Sequence, residues 1–133
     1  MATKPEGQFI AKIHKGFPKQ WSIYAEKTAN PFRGGTPDCF YEGKEGYHWI
    51  EYKWLERRPK TRFTPKLTPL QVRWLTRAYK KKRDPWVVVG FPGGCYILPE
   101  PTLWEGSIEV KFLAVYTVNE LCEAIRKKVS TTS

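Results

Sequence analysis

A pair of strand-like runs joined by a short turn constrains the fold of this chain more than any other feature of its sequence. Residues 38–42 and 47–54 are both rich in aromatic side chains. The four residues between them, Gly43-Lys-Glu-Gly46, are rich in turn formers because they include two glycines. Two such runs with so short a glycine-containing connection predict an antiparallel β-hairpin.

The predicted hairpin brings charged side chains together. Because side chains alternate along a strand, Glu51 and Lys53 share one face, and Ile50, Tyr52 and Trp54 pack on the other. A turn centred between residues 44 and 45 sets a register in which Asp38 lies opposite Glu51. The sequence therefore predicts two carboxylates facing each other, with an ammonium group beside them.

Like charges directly across a ladder destabilise a hairpin unless a cation lies between them. Mg²⁺ prefers hard oxygen ligands and typically takes one or two carboxylates together with phosphate oxygens. With Lys53 alongside, the group has the parts for phosphodiester hydrolysis: a metal ion to polarise the phosphoryl group, and an ammonium to stabilise developing negative charge. The alternative is that Glu51 and Lys53 form a same-face ion pair and that Asp38 is a turn residue.

Periodicity and capping signals predict the remaining elements. Helices are expected over residues 4–15, 68–82 and 117–128, and strands over residues 21–28, 85–89 and 93–98. Residues 57–66 hold too many charges and prolines for a regular element and predict a basic loop. The expected fold is α/β, with a central mixed sheet of about five strands flanked by the first helix and the helix at Thr68.

The helix at Thr68 has the clearest start. Thr68-Pro-Leu-Gln71 combines an N-cap, a proline at the first helical position and a capping-box glutamine. The predicted apolar stripe of this helix comprises Leu70, Trp74, Leu75, Ala78 and Tyr79. Arg73 and Arg77 then lie outside that stripe.

Positive charge is concentrated in one part of the chain. The formal net charge is +10, and twelve of the 23 lysines and arginines lie between residues 53 and 83, against Glu56 alone. Such a one-sided stretch predicts nucleic-acid binding, although a solvated basic face is the alternative. The predicted DNA-binding residues are Arg57, Arg58, Lys60, Arg62, Lys66, Arg73 and Arg77, with Arg33 beside Phe32 in the loop before Asp38.

Composition and length limit the other possibilities. At 133 residues with 41% hydrophobic side chains, residues 1–133 are expected to form a single domain with a polar tail from about residue 129. No secretory signal is evident, so a cytoplasmic location and reduced thiols at the three cysteines are expected. No run is long and apolar enough for a membrane partner. His14 and His48 are expected at the surface or in packing roles, because neither has a catalytic partner in the sequence.

The motifs together resemble the PD-(D/E)xK nuclease superfamily. Gly-Thr-Pro-Asp38, then Trp-Ile-Glu51-Tyr-Lys53, then Leu-Thr-Pro-Leu-Gln71 are similar to the pattern of small viral VRR-NUC and phage junction-resolving nucleases, over about residues 4–100. The resemblance implies a restriction-endonuclease-like core in which Asp38 and Glu51 bind Mg²⁺, or Mn²⁺ as a substitute, and Lys53 assists catalysis. It also implies the backbone carbonyl of Tyr52 as a further metal ligand.

The resemblance implies two more site residues. Family members place a glutamate of the N-terminal helix in the metal site and a glutamine on the helix after the core motif, which correspond here to Glu6 and Gln71. Both also stand at the third position of a capping box, so helix capping is an alternative explanation for each. Glu26 is a competing candidate for the role of Glu6.

The resemblance implies a metal-dependent DNA endonuclease that acts on branched DNA such as Holliday junctions, in a bacterial or phage-infected cell. Two symmetric cuts need two active sites, so a homodimer is expected. A sequence-specific endonuclease of the homing or restriction type would have the same core. A DNA-binding module without catalytic activity is the alternative from a different class, and it would show no Mg²⁺-dependent nicking.

Overall fold

A computed structural model describes residues 5–28 and 34–130 of the chain. Three α-helices and seven β-strands occur within these described residues. In chain order they are α1 (Pro5–Lys15), β1 (Tyr24–Lys27), β2 (Cys39–Glu42), β3 (Tyr47–Trp54), β4 (Arg62–Phe63), α2 (Pro69–Lys80), β5 (Trp86–Phe91), β6 (Gly94–Leu98), β7 (Ile108–Glu109) and α3 (Val118–Ser130).

The central sheet has five strands in the order β1-β2-β3-β5-β6. β3 and β5 are parallel, and the other three pairs are antiparallel. The predicted mixed sheet of about five strands is therefore confirmed. All six residues of β5 are buried, as expected of a strand that helices cover on both faces.

The predicted hairpin forms β2 and β3. Cys39 pairs with Ile50 and Glu42 pairs with Tyr47, which is the predicted register. The backbone N–H of Gly43 donates to the carbonyl of Gly46 at 2.9 Å and closes the turn. The hairpin therefore has the strand alternation that the sequence indicated.

The last turn of α3 supports the hairpin turn. The carbonyl of Val129 accepts a hydrogen bond of 2.9 Å from the Glu45 N–H. A Cβ on Gly43 would lie 2.6 Å from that same carbonyl, so only glycine allows this approach. The predicted polar tail from about residue 129 is thus wrong at its start, because Val129 is fully buried and α3 continues to Ser130.

The two faces of the sheet carry separate hydrophobic clusters. Helices α1 and α3 cover one face, where Ile13 and Ile125 pack with Tyr52. Helix α2 covers the other face, where Leu75 packs with Val87. The predicted flanking by α1 and α2 is confirmed, and α3 lies beside α1.

Helix α2 begins as predicted. Thr68 is the N-cap, its side chain accepts from the Gln71 N–H, and the Gln71 side chain accepts from the Thr68 N–H. Two members of the predicted apolar stripe are wrong, since Leu70 is 51% exposed and Tyr79 is 37% exposed. The Leu70 side chain lies instead against Gly34, which is in the loop before Asp38. The capping box that includes Glu6 would begin at Thr3, which lies outside the described residues.

Two predicted elements differ in extent. The strand expected over residues 21–28 begins only at Tyr24, because Trp21 ends a short 3₁₀ helix and Ser22 has a left-handed backbone, φ 53°. The basic loop contains β4, which pairs Phe63 with Ile108.

Within the described residues, no helix is both long and apolar enough to cross a membrane. Cys39, Cys95 and Cys122 are buried free thiols.

Candidate active site

Asp38 stands where the ladder between β2 and β3 ends. Its Oδ2 accepts a hydrogen bond of 3.0 Å from the backbone N–H of Tyr52. Its backbone carbonyl accepts from the Thr28 hydroxyl at 3.0 Å and from the Thr28 N–H at 2.6 Å. The carboxylate of Asp38 is therefore fixed against β3, the strand that carries Glu51 and Lys53.

Glu51 lies on β3 and is buried, with 2% of its surface exposed. Its Oε2 accepts from Nε2 of Gln71 at 3.2 Å and lies 3.9 Å from Nζ of Lys53. Its Oε1 is also buried and has no hydrogen-bond partner among the described residues. A buried carboxylate oxygen without a partner is costly, so this atom indicates a place for a ligand.

The electrostatics of Glu51 agree with that geometry. Burial, followed by the nearby carboxylate of Asp38, raises the pKa of Glu51 from 4.5 to about 9. The ammonium of Lys53 opposes this rise, and Glu6 adds a smaller contribution that raises the pKa further. Two carboxylates this close to each other share one region of negative potential, which a divalent cation would neutralise.

Gln71 links the start of α2 to both charged groups. Its Oε1 accepts from Nζ of Lys53 at 3.3 Å and from the Thr68 N–H at 2.9 Å. Its Nε2 donates to Glu51. The two alternatives considered for Gln71 are therefore compatible in one side chain, because it caps the helix and also contacts Glu51 and Lys53.

The oxygen-rich pair of Asp38 and Glu51 fits a hard divalent cation, because Mg²⁺ keeps several waters and needs few protein ligands. No three His, Cys, Asp or Glu side chains form a metal-holding group in the described ranges. Glu6 is thus not brought into a three-carboxylate cluster.

The roles of Glu6 and of the Tyr52 carbonyl as metal ligands stay predictions. Glu6 is half-buried in the first turn of α1 and is close enough to affect the pKa of Glu51. The competing residue, Glu26, is exposed on β1, and its Oε2 accepts a hydrogen bond of 3.0 Å from the Tyr24 hydroxyl. This electrostatic contact favours Glu6 over Glu26.

A chain of hydrogen bonds supports β3 from the other side of the sheet. The hydroxyls of Tyr52 and Tyr41 lie 2.7 Å apart, and His14 Nε2 lies 2.9 Å from the Tyr41 hydroxyl. His48 is 1% exposed and packs edge-on to the ring of Trp86. Burial lowers the pKa of His48 to about 3, so this histidine is a neutral packing residue.

Sequence reasoning did not identify Gly35 as a site residue. Gly35 has φ +88°, and a Cβ there would lie 2.3 Å from the carbonyl of Leu70. Gly35 therefore lets the loop before Asp38 contact the first turn of α2. The glycine of the Gly-x-Pro-Asp segment suggested a position with unusual backbone geometry. That this position contacts Leu70 could not be identified without the fold.

The predicted DNA-binding residues occupy two surfaces. Arg57, Arg58 and Lys60 are exposed on the segment after β3, where the Arg58 guanidinium lies 5.9 Å from the centre of the Phe91 ring. Arg62 is tied to Glu109 by an ion pair of 3.2 Å. Because its guanidinium is already paired, we expect Arg62 to contribute less to DNA binding than Arg57, Arg58 and Lys60.

The other surface lies along α2. Lys66, Arg73 and Arg77 line a groove there together with Leu67 and Trp104. None of these three cations contacts the carboxylate pair. Arg33 and Phe32, predicted to contact DNA, lie outside the described residues.

No family model matches the sequence, and no curated protein matches it. The structure is similar to Archaeoglobus fulgidus Hjc, a Holliday junction resolvase from an archaeal hyperthermophile, with a TM-score of 0.57 and 19% identity over 92% of this chain and 99% of that chain. It is also similar to a VRR_NUC domain, with a TM-score of 0.51 and 22% identity over 67% of this chain and 87% of that chain.

Proposed function

We propose that this chain, whose fold is that of the PD-(D/E)xK nucleases, is a metal-dependent DNA endonuclease acting on branched DNA such as Holliday junctions. The observation that carries the proposal is Glu51, a buried carboxylate with an oxygen that no described residue satisfies. Asp38 raises its pKa further, and strongly perturbed groups of this kind are typical of catalytic sites.

The cation we propose between Asp38 and Glu51 is Mg²⁺, with Mn²⁺ as a substitute. Asp38, Glu51 and the backbone carbonyl of Tyr52 would hold it, with Glu6 nearby. When bound, it supplies Lewis-acid polarisation of the scissile phosphate and lowers the pKa of water. Both carboxylates are then held in their charged form, since a neighbouring positive charge favours the carboxylate.

Lys53 and Gln71 complete the proposed mechanism. The ammonium of Lys53, held by Gln71 at 3.3 Å, donates to the attacking water or to a phosphate oxygen as negative charge develops there. Gln71 also orients Glu51 through its Nε2. Because these groups are fixed before DNA arrives, little reorganisation is needed in the transition state.

The proposed substrate is DNA, on two grounds. The net charge of +10 and the exposed cations of the segment after β3 suit a polyanion. A Holliday junction resolvase is among the structures with this fold. The cut would leave 5′-phosphate and 3′-hydroxyl ends, following the family pattern.

We further propose a homodimer, because paired cuts across a junction need two active sites. Sedimentation equilibrium should give twice the chain mass of 15.5 kDa. A monomer at the concentrations that support cleavage would contradict the dimer and leave the nuclease proposal standing.

The experiment that tests the proposed function compares four-way junction, flap, single-stranded and linear duplex DNA, each with Mg²⁺ and with EDTA. Branched DNA should be nicked with Mg²⁺ and left intact with EDTA. Cleavage of linear duplex at one fixed sequence, with junctions untouched, would identify a sequence-specific endonuclease instead. Salt-sensitive DNA binding without any nicking would identify a non-catalytic DNA-binding module.

A further inference from the structure

Aromatic side chains extend from the carboxylate pair along the same face of the sheet. Trp49 is two residues before Glu51 on β3, and Phe40 is two residues after Asp38 on β2, so both project on the face of those carboxylates. Phe40 and Trp49 are direct cross-strand partners. The first aromatic pair is therefore one strand repeat, roughly 7 Å, from the proposed cleavage site.

These rings belong to a continuous series of four, which we call the aromatic strip: Tyr47, Phe40, Trp49 and Trp74. Successive ring centres lie 5.7, 4.8 and 5.4 Å apart. Three of the rings come from the hairpin, and the fourth comes from α2. The strip thus joins the two elements that also carry Glu51 and Gln71.

The aromatic strip is not simply part of a core. Tyr47 is 41% exposed, and Phe40, Trp49 and Trp74 are only half-buried. The buried residues of α2 are Leu75 and Ala78. Each of the four side chains therefore keeps some exposed surface beside the active site.

Each end of the aromatic strip carries an arginine. The guanidinium of Arg83 lies 5.9 Å from the centre of the Tyr47 ring, and that of Arg77 lies 5.9 Å from the centre of the Trp74 ring. Aromatic rings with a guanidinium group at each end match the two chemistries of a nucleic-acid strand, because bases stack on rings and phosphates pair with guanidinium groups. Paired bases in a duplex are stacked on one another and do not offer their faces.

We propose that the aromatic strip binds unpaired bases of the DNA strand next to the scissile phosphate. The chain then selects substrates with a splayed or single-stranded stretch at the cut, rather than continuous duplex. The position next to the cut rests on the proposed function, whereas the binding of unpaired bases by the strip does not. The chemistry of the partner is therefore that of a single strand with exposed bases, flanked by phosphates.

The test measures affinity in EDTA, so that binding is separated from cleavage. A labelled short oligothymidylate and a blunt duplex of equal length are titrated with wild type, Trp49→Leu and Trp74→Leu. Leucine keeps the position apolar and removes the π face. Each variant should bind the oligothymidylate about tenfold more weakly, the loss expected for one stacked base, and should bind the duplex with wild-type affinity.

The chain offers a matched control in Phe112. It is 76% exposed, and Nζ of Lys111 lies 5.2 Å from its ring centre, so it is also an aromatic ring beside a cation. Phe112→Leu should leave both affinities unchanged. Tyr47→Leu serves as the second strip variant if either tryptophan substitution prevents folding, because Tyr47 is largely exposed.

Unchanged oligothymidylate binding in the strip variants, or an equal loss for oligothymidylate and duplex, would overturn the inference. The proposed function fails in a different way. If wild type binds oligothymidylate through the strip and cuts no DNA with Mg²⁺, the nuclease proposal is wrong and the binding inference stands. If wild type cuts branched DNA and the strip variants bind oligothymidylate normally, only the inference is wrong.

Discussion

Glu51 is buried and is a central residue of the proposed active site. Its carboxylate is buried, it accepts a hydrogen bond from Gln71, and its second oxygen has no partner among the described residues. Burying a carboxylate in this way is unfavourable in the absence of a cation. The protein therefore holds a destabilising group at its centre, and its stability should depend on pH.

The pKa of Glu51 in the folded chain is about 9, raised from 4.5 by burial and then by Asp38. Protonated Glu51 contributes to the free energy of unfolding. This contribution is fully present below about pH 4.5 and is lost as the pH rises through about 9. Glu51→Gln cannot ionise, so in EDTA its melting temperature should exceed that of wild type increasingly with pH. We expect a gain of about 1 kcal/mol or more at pH 8, or about 4 °C for a domain of this size.

Glu123→Gln, on the exposed face of α3, provides the control for that measurement. Its melting temperature should follow that of wild type at each pH. A difference between Glu51→Gln and wild type that stays constant from pH 5 to 9 would show that Glu51 does not titrate as described. Mg²⁺ should shrink the difference, because the cation favours the charged carboxylate of the wild type.

Asp38 and Lys53 should be required for cleavage and dispensable for DNA binding. Lys53→Ala removes the ammonium beside the scissile phosphate, and Asp38→Asn removes one of the two carboxylate charges. Each should lower the single-turnover cleavage rate by about 10³-fold, with DNA affinity in EDTA within a few fold of wild type. Cleavage at the wild-type rate by either variant would show that the residue is not part of the active site.

Much of the site geometry could be predicted from the sequence at the residue scale. The register that brings Asp38 near Glu51 follows from the length of the turn and the period of two along a strand. The raised pKa of Glu51 could not be predicted, because it depends on how completely α2 covers β3. The contact between Gly35 and Leu70 could not be predicted either, because these two segments meet only in the folded chain.

At the scale of the element, the first turn of α2 has two tasks. Thr68 and Gln71 form the capping box, and Gln71 also contacts Glu51 and Lys53. Thr68→Ala should therefore destabilise the protein by about 1 kcal/mol, the usual loss for an N-cap, and leave the cleavage rate intact.

Gln71→Ala should cost similar stability and should also reduce the cleavage rate, by at least about tenfold, since Lys53 loses an orienting partner. Chemical denaturation and single-turnover cleavage on the two variants separate the tasks. Equal losses of cleavage rate in both variants would mean that Gln71 acts only as a helix cap.

Element boundaries were predictable where their signals are local. The capping boxes at Thr68 and Thr117 mark the starts of α2 and α3. The strand β4 was missed because its partner is distant in sequence: Arg62 pairs with Glu109, 47 residues away. Charge and proline content made that segment resemble a loop, and only the pairing with β7 turns it into a strand.

At the scale of the whole molecule, the active-site face and the supporting face of the sheet are separate. Helices α1 and α3 fill one side, and Glu51, Lys53 and the aromatic strip lie on the side of α2. The exposed cations Arg57, Arg58 and Lys60 follow directly from β3. Electrostatic attraction of DNA should therefore depend on these cations more than on the net charge as a whole.

Charge reversal of Arg57, Arg58 and Lys60 together should weaken DNA binding and flatten its dependence on salt. The slope of log affinity against log salt concentration should fall by about 0.9 for each DNA phosphate that the variant no longer neutralises. Lys19→Glu, an exposed change next to the α1 and α3 face, should have a smaller effect on the slope. Equal slopes for the triple variant and wild type would remove these residues from the DNA interface.

The contact between the last turn of α3 and the hairpin turn connects the end of α3 to the two strands that lead to the proposed active site. Val129 anchors the turn whose two strands lead to Asp38 and Glu51. Truncation before Val129, or a bulky fusion tag placed directly after it, would release that anchor with every active-site residue intact. Purification tags therefore belong on a flexible spacer well clear of Ser130.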